Sequence, residues 1–197
     1  MATLEIKHLS CTQLSHVELA LTAGECVCLA GASGSGKSSL LRAVADLDPH
    51  EGEVRLDGQL QQSMPAHEWR RRVGLLSAES QWWFDDVGAH FTQPELSWFE
   101  RLGFDEDVLG WQVSRLSSGE KQRLALLRLM CGRPEVLLLD EASANLDEQN
   151  TAVVEGLINE YRRECQAPVL WVSHDLAQVE RLADRFYRIE QGALVEQ

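Results

Sequence analysis

The chain has 197 residues, 44% of them hydrophobic and 25% charged, and 18 Lys and Arg against 31 Asp and Glu give a formal net charge of −13. That length holds one good core and at most a small second lobe. No stretch approaches the ~20 apolar residues of a membrane helix, and the acidic balance repels a polyphosphate backbone, so no nucleic acid partner is expected. The start of the chain has an early acid, Glu5, and no long apolar run, so it does not read as a signal peptide. The five cysteines are odd in number and form no C-x-x-C; Cys26 and Cys28 alternate within an apolar run and read as core thiols of a reducing compartment.

Residues 3–8 and 17–21 carry short alternating patterns expected to form strands, and Ala23 and Gly24 turn the chain into a buried strand over 25–30. Gly31, Ala32, Ser33, Gly34, Ser35, Gly36, Lys37 and Ser38 follow, with Ser39 after them, and match G-x-x-x-x-G-K-[ST] at every fixed position. By composition this could be any Gly/Ser-rich surface loop. The strand before it and the helix expected over 37–46 decide for a phosphate cradle, because glycines let successive N–H groups converge and a helix N-terminus adds positive potential. Lys37 is then placed to reach the outer phosphates of a nucleotide, and the Ser38 hydroxyl to ligate Mg²⁺.

Beyond the cradle the spacing predicts a strand over 53–58 ending in an Asp-Gly turn, a helix over 65–71 with Pro65 near its start, and a buried strand over 73–77. From 79 to 134 the pattern changes. No strand is convincing there, helices are expected over 94–101 and 117–131, and four of the six tryptophans fall inside, Trp82, Trp83, Trp98 and Trp111. Val136-Leu-Leu-Leu139 is a continuous apolar strand running into Asp140 and Glu141. A helix over 148–164, a strand over 168–172, a helix over 175–184 and a hairpin turning at Gln191 and Gly192 complete the chain. This alternation implies an α/β fold, a P-loop NTPase with a largely parallel central sheet, an N-terminal antiparallel β region and an inserted helical subdomain. The expected division is one domain over 1–197, with 1–78 and 135–197 as core and 79–134 as helical subdomain.

Leu116-Ser-Ser-Gly-Glu-Lys-Gln-Arg123 stands shortly before the strand that ends in Asp140 and Glu141. That order resembles the ATP-binding cassette (ABC) ATPases, whose signature reads LSGGQ. The resemblance covers nearly the whole chain: the cradle at 31–38, a signature at 116–120, the strand ending in Asp140 and Glu141, Ser143-Ala-Asn-Leu-Asp147 like a D-loop, and His174 like the switch histidine. It implies that Asp140 holds a metal-bound water, that Glu141 orients or deprotonates the attacking water, and that His174 bonds the γ-phosphate. It also implies a head-to-tail dimer in which Ser117, Ser118, Gly119 and Glu120 face the partner's ATP, with Asp147 in the D-loop.

Three departures from the family pattern stand out. Residues 1–36 contain no Phe, Trp or Tyr to stack on adenine, leaving His16 and Cys11 as poor substitutes. The Q-loop glutamine is missing after Val73-Gly-Leu-Leu76; Glu79 is the first choice to replace it as a metal ligand, with Gln81 two residues on. Ser118 and Glu120 replace the second glycine and the glutamine of the signature. The run Gln81-Trp-Trp-Phe-Asp-Asp-Val87 lies where the resemblance puts contact with a membrane subunit, yet clustered aromatics equally suit a small helical core.

What the resemblance implies is the ATP-binding and ATP-hydrolysing subunit of an ABC transporter. It would work with Mg²⁺ as cofactor, as a homodimer on ATP binding, in the cytoplasm at the inner face of the membrane through a separate transmembrane permease. The alternative is a soluble ABC-type ATPase that drives a conformational change in a non-transport assembly; a degenerate regulatory module is disfavoured because Glu141 and His174 are both present.

Overall fold

The computed structural model describes residues 2–197. Among the described residues, ten strands form two sheets. The first contains β1 (Leu4–Cys11), β2 (Leu14–Leu21), β4 (Glu51–Leu56) and the short β5 (Gln59–Leu60), antiparallel throughout in the order β2-β1-β4-β5. The second is ordered β10-β9-β3-β8-β7-β6 and contains β3 (Cys26–Gly31), β6 (Val73–Leu76), β7 (Val136–Asp140), β8 (Val169–Val172), β9 (Arg185–Glu190) and β10 (Ala193–Glu196). All its pairings are parallel except the β9–β10 hairpin.

The central strands are apolar on both faces because both faces are covered. Successive side chains alternate between two cores. Val27, Leu29, Val136, Leu138, Leu170 and Val172 face the antiparallel sheet and helix α1 (Lys37–Val44). Cys26, Cys28, Leu137, Leu139, Val169 and Trp171 face the other way, toward α3 (Leu96–Arg101), α4 (Ser118–Cys131) and α5 (Glu148–Glu164). Phe99, Leu124 and Leu127 from the 79–134 segment belong to this same cluster, so the helical part has no core separate from the sheet. The aromatics of that segment divide: Trp98 is buried, whereas Trp83 and Phe84 are 63% and 51% exposed.

Several boundaries differ from expectation for identifiable reasons. β1 and β2 run longer than 3–8 and 17–21; register shifts follow Ile6, and His8 and His16 take positive φ, which interrupts the alternation that sequence patterns detect. α1 stops at Val44 rather than 46 because Asp46 adopts φ 59 and closes a Schellman turn, with Leu47 N–H donating to Arg42 O at 2.8 Å and Asp46 N–H to Ala43 O at 3.0 Å. Pro65 lies just outside α2 (Ala66–Arg72), and α6 (Leu176–Leu182) is shorter than 175–184, with Asp175 as its N-cap.

The C-terminal end of α1 is tied down from below. The buried Trp69 donates from Nε1 to Val44 O at 2.9 Å, and Gln61 Nε2 donates to Ala43 O and Val44 O at 3.1 Å, satisfying carbonyls that a helix end leaves unpaired. The helix is thereby fixed with its N-terminus against the end of β3, where the glycine-rich loop sits.

Candidate functional site

The sheet order determines which loops meet. β8 lies between β3 and β7, and Leu29, Val172 and Asp140 are register partners across the three strands. The loops leaving their carboxyl ends therefore converge, bringing together the cradle after β3, Glu141 after β7 and His174 after β8. Ligand sites in open α/β sheets form at this end of the strands.

Within the loop, Gly34 has φ 76 and Gly36 φ 103, conformations that L side chains rarely adopt. Gly36 is also confined, since an added Cβ would stand 3.1 Å from Leu14 and 3.3 Å from Gln13. Lys37, only 6% exposed, donates from Nζ to Gly31 O at 2.9 Å and Ala32 O at 3.0 Å, so its ammonium lies along the loop. Ser33, Gly34, Gly36, Lys37, Ser38 and Ser39 line one side of a cavity of about 170 Å³; Glu141, His174 and Gln13 line the other.

Asp140 ends β7 and is buried. Burial pushes its carboxyl above the ordinary carboxylate range, opposed by a hydrogen bond from Ser38 and by the charges of Lys37 and His174. A buried acid beside a hydroxyl is an all-oxygen donor pair, the chemistry that Mg²⁺ takes up together with phosphate oxygens and water. Glu141 follows with φ 52, its N–H donating to Val172 O at 3.1 Å. That turn brings Glu141 Oε1 to 2.9 Å from His174 Nε2.

Other expected residues lie apart from the cradle. Ser117 caps α4, and its hydroxyl accepts from Glu120 N–H at 3.3 Å, while the Glu120 carboxylate accepts from Ser117 N–H at 2.8 Å and from its hydroxyl at 2.7 Å. Those bonds from Ser117 hold the Glu120 carboxyl below its usual range. Gly119 abuts the loop at 143–147 of its own chain, where an added Cβ would meet Asn145 O at 3.2 Å. Asp147 caps α5 by accepting from Asn150 N–H at 2.8 Å, and Arg123 of α4 donates to Asn150 Oδ1 at 2.9 Å. Glu79 is exposed and lines a different cavity, beside Gln81 and Arg128.

Two participants escaped the sequence reading. Gln13, in the β1–β2 turn, lines the cradle and accepts from Ser39 Oγ at 3.4 Å, while His16 and Cys11 are not in that lining. Nothing local in the sequence marks Gln13. The other is Gln178, buried in α6 behind the loop that carries His174. Because no aromatic ring from residues 1–36 reaches the cradle, calorimetric titrations with ATP and GTP are expected to give Kd values within about tenfold, a base stack being worth ~1–3 kcal/mol. A preference for ATP above about a hundredfold would show that another side chain supplies the base contact.

The sequence model of the family described as ABC transporter matches residues 14–144. The chain is 33% identical over 193 residues to the probable iron export ATP-binding protein FetA of Escherichia coli (strain K12), covering 91% of this chain and 85% of that protein. It is 34% identical over 190 residues to the aliphatic sulfonates import ATP-binding protein SsuB of Yersinia pestis, covering 93% and 69%. A bacterial Atm1-family ABC exporter with ATP bound superposes with a TM-score of 0.87 at 21% identity, over 98% of this chain and 38% of the exporter, which shows the shared fold. With the cradle, the Asp140–Glu141 strand end and His174 converging as described, the chain belongs to the ABC transporter family, as one of its ATP-binding and ATP-hydrolysing subunits.

Proposed function

We propose that the subunit hydrolyses Mg-ATP at the mouth of the cradle, works as a head-to-tail homodimer, and drives a separate transmembrane permease from the cytoplasmic face. The observation that carries the chemistry is the 2.9 Å contact between His174 and Glu141 beside the cradle. Lys37 and the loop N–H groups hold the outer phosphates; the lysine exchanges its two carbonyl partners for phosphate oxygens. Ser38 and Asp140 would hold Mg²⁺, which supplies charge neutralisation of the phosphate oxygens when bound. Glu79 joins them only if its loop swings toward the cradle. Glu141 orients or deprotonates the attacking water, and His174 bonds the γ-phosphate. The positive φ of Glu141 fits a residue held in place for function.

Ser117, Ser118, Gly119 and Glu120 are absent from the lining of their own chain's cradle, which supports their use on the partner's ATP. There Ser117 would release the Glu120 carboxylate and present its hydroxyl and the helix N-terminus to phosphate. Both relatives above are named for moving solutes, one by export and one by import.

Trp83 and Phe84 give the permease reading its test. Two neighbouring aromatics this exposed are a contact-patch composition. Trp83 N–H donates to His90 Nε2 at 3.1 Å, which holds its backbone, and Arg128 stacks on one face of the ring at 4.7 Å from its centroid while the side chain stays largely exposed. Affinity purification from native membranes is expected to bring down a polytopic protein with the parent chain and not with Trp83→Ser, at an unchanged melting temperature and basal ATPase rate. Recovery of only soluble partners with the parent would favour the soluble-assembly alternative.

A further inference from the structure

The loop carrying His174 and the loop carrying Glu141 are joined by a buried polar chain centred on Gln178, in α6. Gln178 is 3% exposed and uses both ends of its amide. Its Oε1 accepts from Ser173 Oγ at 2.7 Å, and its Nε2 donates to Ser143 Oγ at 2.8 Å and to Glu155 Oε1 at 2.9 Å. Ser173 immediately precedes His174, and Ser143 lies just beyond Glu141. Glu155 lies in α5 and is also buried, and the same Oε1 accepts from Arg181 Nη2 at 2.8 Å. These groups form one wall of a cavity of about 720 Å³ that opens beside Glu141 and His174.

Anchoring α6 does not require this chain, since Val179 and Leu182 already bury themselves in the core under the sheet. A buried amide is costly unless every partner is kept, and a fully satisfied network admits few alternative geometries. Its partners here are the two loops that carry the reacting groups. We infer that Gln178 is a positioning residue for ATP hydrolysis, clamping the two loops at the separation that leaves His174 against Glu141. This rests on the roles given to Glu141 and His174 above.

The test is hydrolysis of Mg-ATP by the full chain, with kcat and KM separated and melting temperature recorded. Gln178→Glu keeps the shape but sets a carboxylate against Glu155 where a donor stood. At pH 8 it is expected to lose on the order of tenfold to a hundredfold in kcat. The KM for ATP should stay within about threefold of the parent, because α1 and its loop are untouched. The deficit should narrow as the pH falls toward 6, since a proton shared by the two carboxylates restores a donor. The charged groups facing that pair are Arg181 on α6, Glu148 at the start of α5, and Glu141, His174 and Asp175 in the loops. Combining Gln178→Glu with Glu155→Gln restores an amide donor to the link: the hydroxyls of Ser173 and Ser143 can donate to the new carboxylate at 178, Arg181 keeps the remaining oxygen at 155, which its Nε approaches at 3.4 Å in the parent, and kcat should return to within about threefold of the parent. Ser143→Ala, which cuts only the link to the Glu141 loop, should lower kcat severalfold at the parental melting temperature.

Parental kcat in folded Gln178→Glu and in Ser143→Ala would overturn the inference. So would a double variant that melts like the parent yet stays as slow as Gln178→Glu. Glu141→Gln measured alongside separates the two levels: if it hydrolyses ATP at the parental rate, the site assignment itself fails. If it is inactive while the Gln178 and Ser143 variants are not, only the positioning role fails.

Discussion

Glu141→Gln is expected to bind ATP like the parent and hydrolyse it ~10² to 10⁴-fold more slowly, the usual contribution of a positioned base. The amide keeps the shape, and it can still hydrogen-bond His174, which stands 2.9 Å away in the parent. What it loses is the ability to accept a proton from water. If ATP bridges the cradle of one chain and Ser117 of another, blocked hydrolysis should also trap the dimer. Size-exclusion chromatography of Glu141→Gln with Mg-ATP is then expected to show a dimer that disappears when Ser117→Arg is added. Ser117 is the N-cap of α4, and its replacement costs that helix a capping bond worth about 1 kcal/mol, well short of unfolding a domain. Loss of the dimer with retention of the monomer's melting transition would thus report on the interface. A monomer at every ATP concentration, with hydrolysis unchanged, would remove both the catalytic role of Glu141 and the composite site.

Lys37→Ala is expected to abolish measurable ATP binding by calorimetry. Among the described residues Lys37 is the one lysine or arginine lining the cradle, and its stem is almost wholly buried along the loop. Removing it deletes the charge that offsets the outer phosphates and takes one donor from each of the carbonyls of Gly31 and Ala32, the latter still accepting from Ser35 N–H at 3.1 Å. Because those carbonyls sit at a loop that water can reach, the fold should survive, and circular dichroism of the variant should match the parent. Equal ATP affinity in mutant and parent would refute the assignment of the loop.

How much of this was legible in the sequence depended on the range of the interactions involved. The span of α5, 148–164, was readable because an N-cap acid, an amphipathic repeat and a basic last turn all lie within the helix itself. The end of α1 was not, because a left-handed aspartate closes it. β1 and β2 were underestimated for a similar reason, since bulges reset the alternation on which a strand is recognised. The aromatic run 82–84 could not be assigned to core or surface from composition. Only packing separates Trp98, buried beside Tyr161, from Trp83, whose ring lies open above Arg128.

The sequence by itself determined the cradle and the strand that ends in Asp140 and Glu141. In both, the chemistry depends on consecutive residues: glycines that permit one tight turn, a lysine and a serine at fixed offsets, a carboxylate at the end of an apolar run. The tertiary structure alone decided that Glu141 meets His174, that Gln13 lines the cradle and that Gln178 joins Ser173 to Ser143 and Glu155. Most of those contacts link residues far apart in the chain, and they exist because β8 inserts between β3 and β7 and because α6 packs back beneath the sheet. The contact of Glu120 with Ser117 is local, but its geometry required the helix start at Ser118, a boundary that tertiary packing and capping set together.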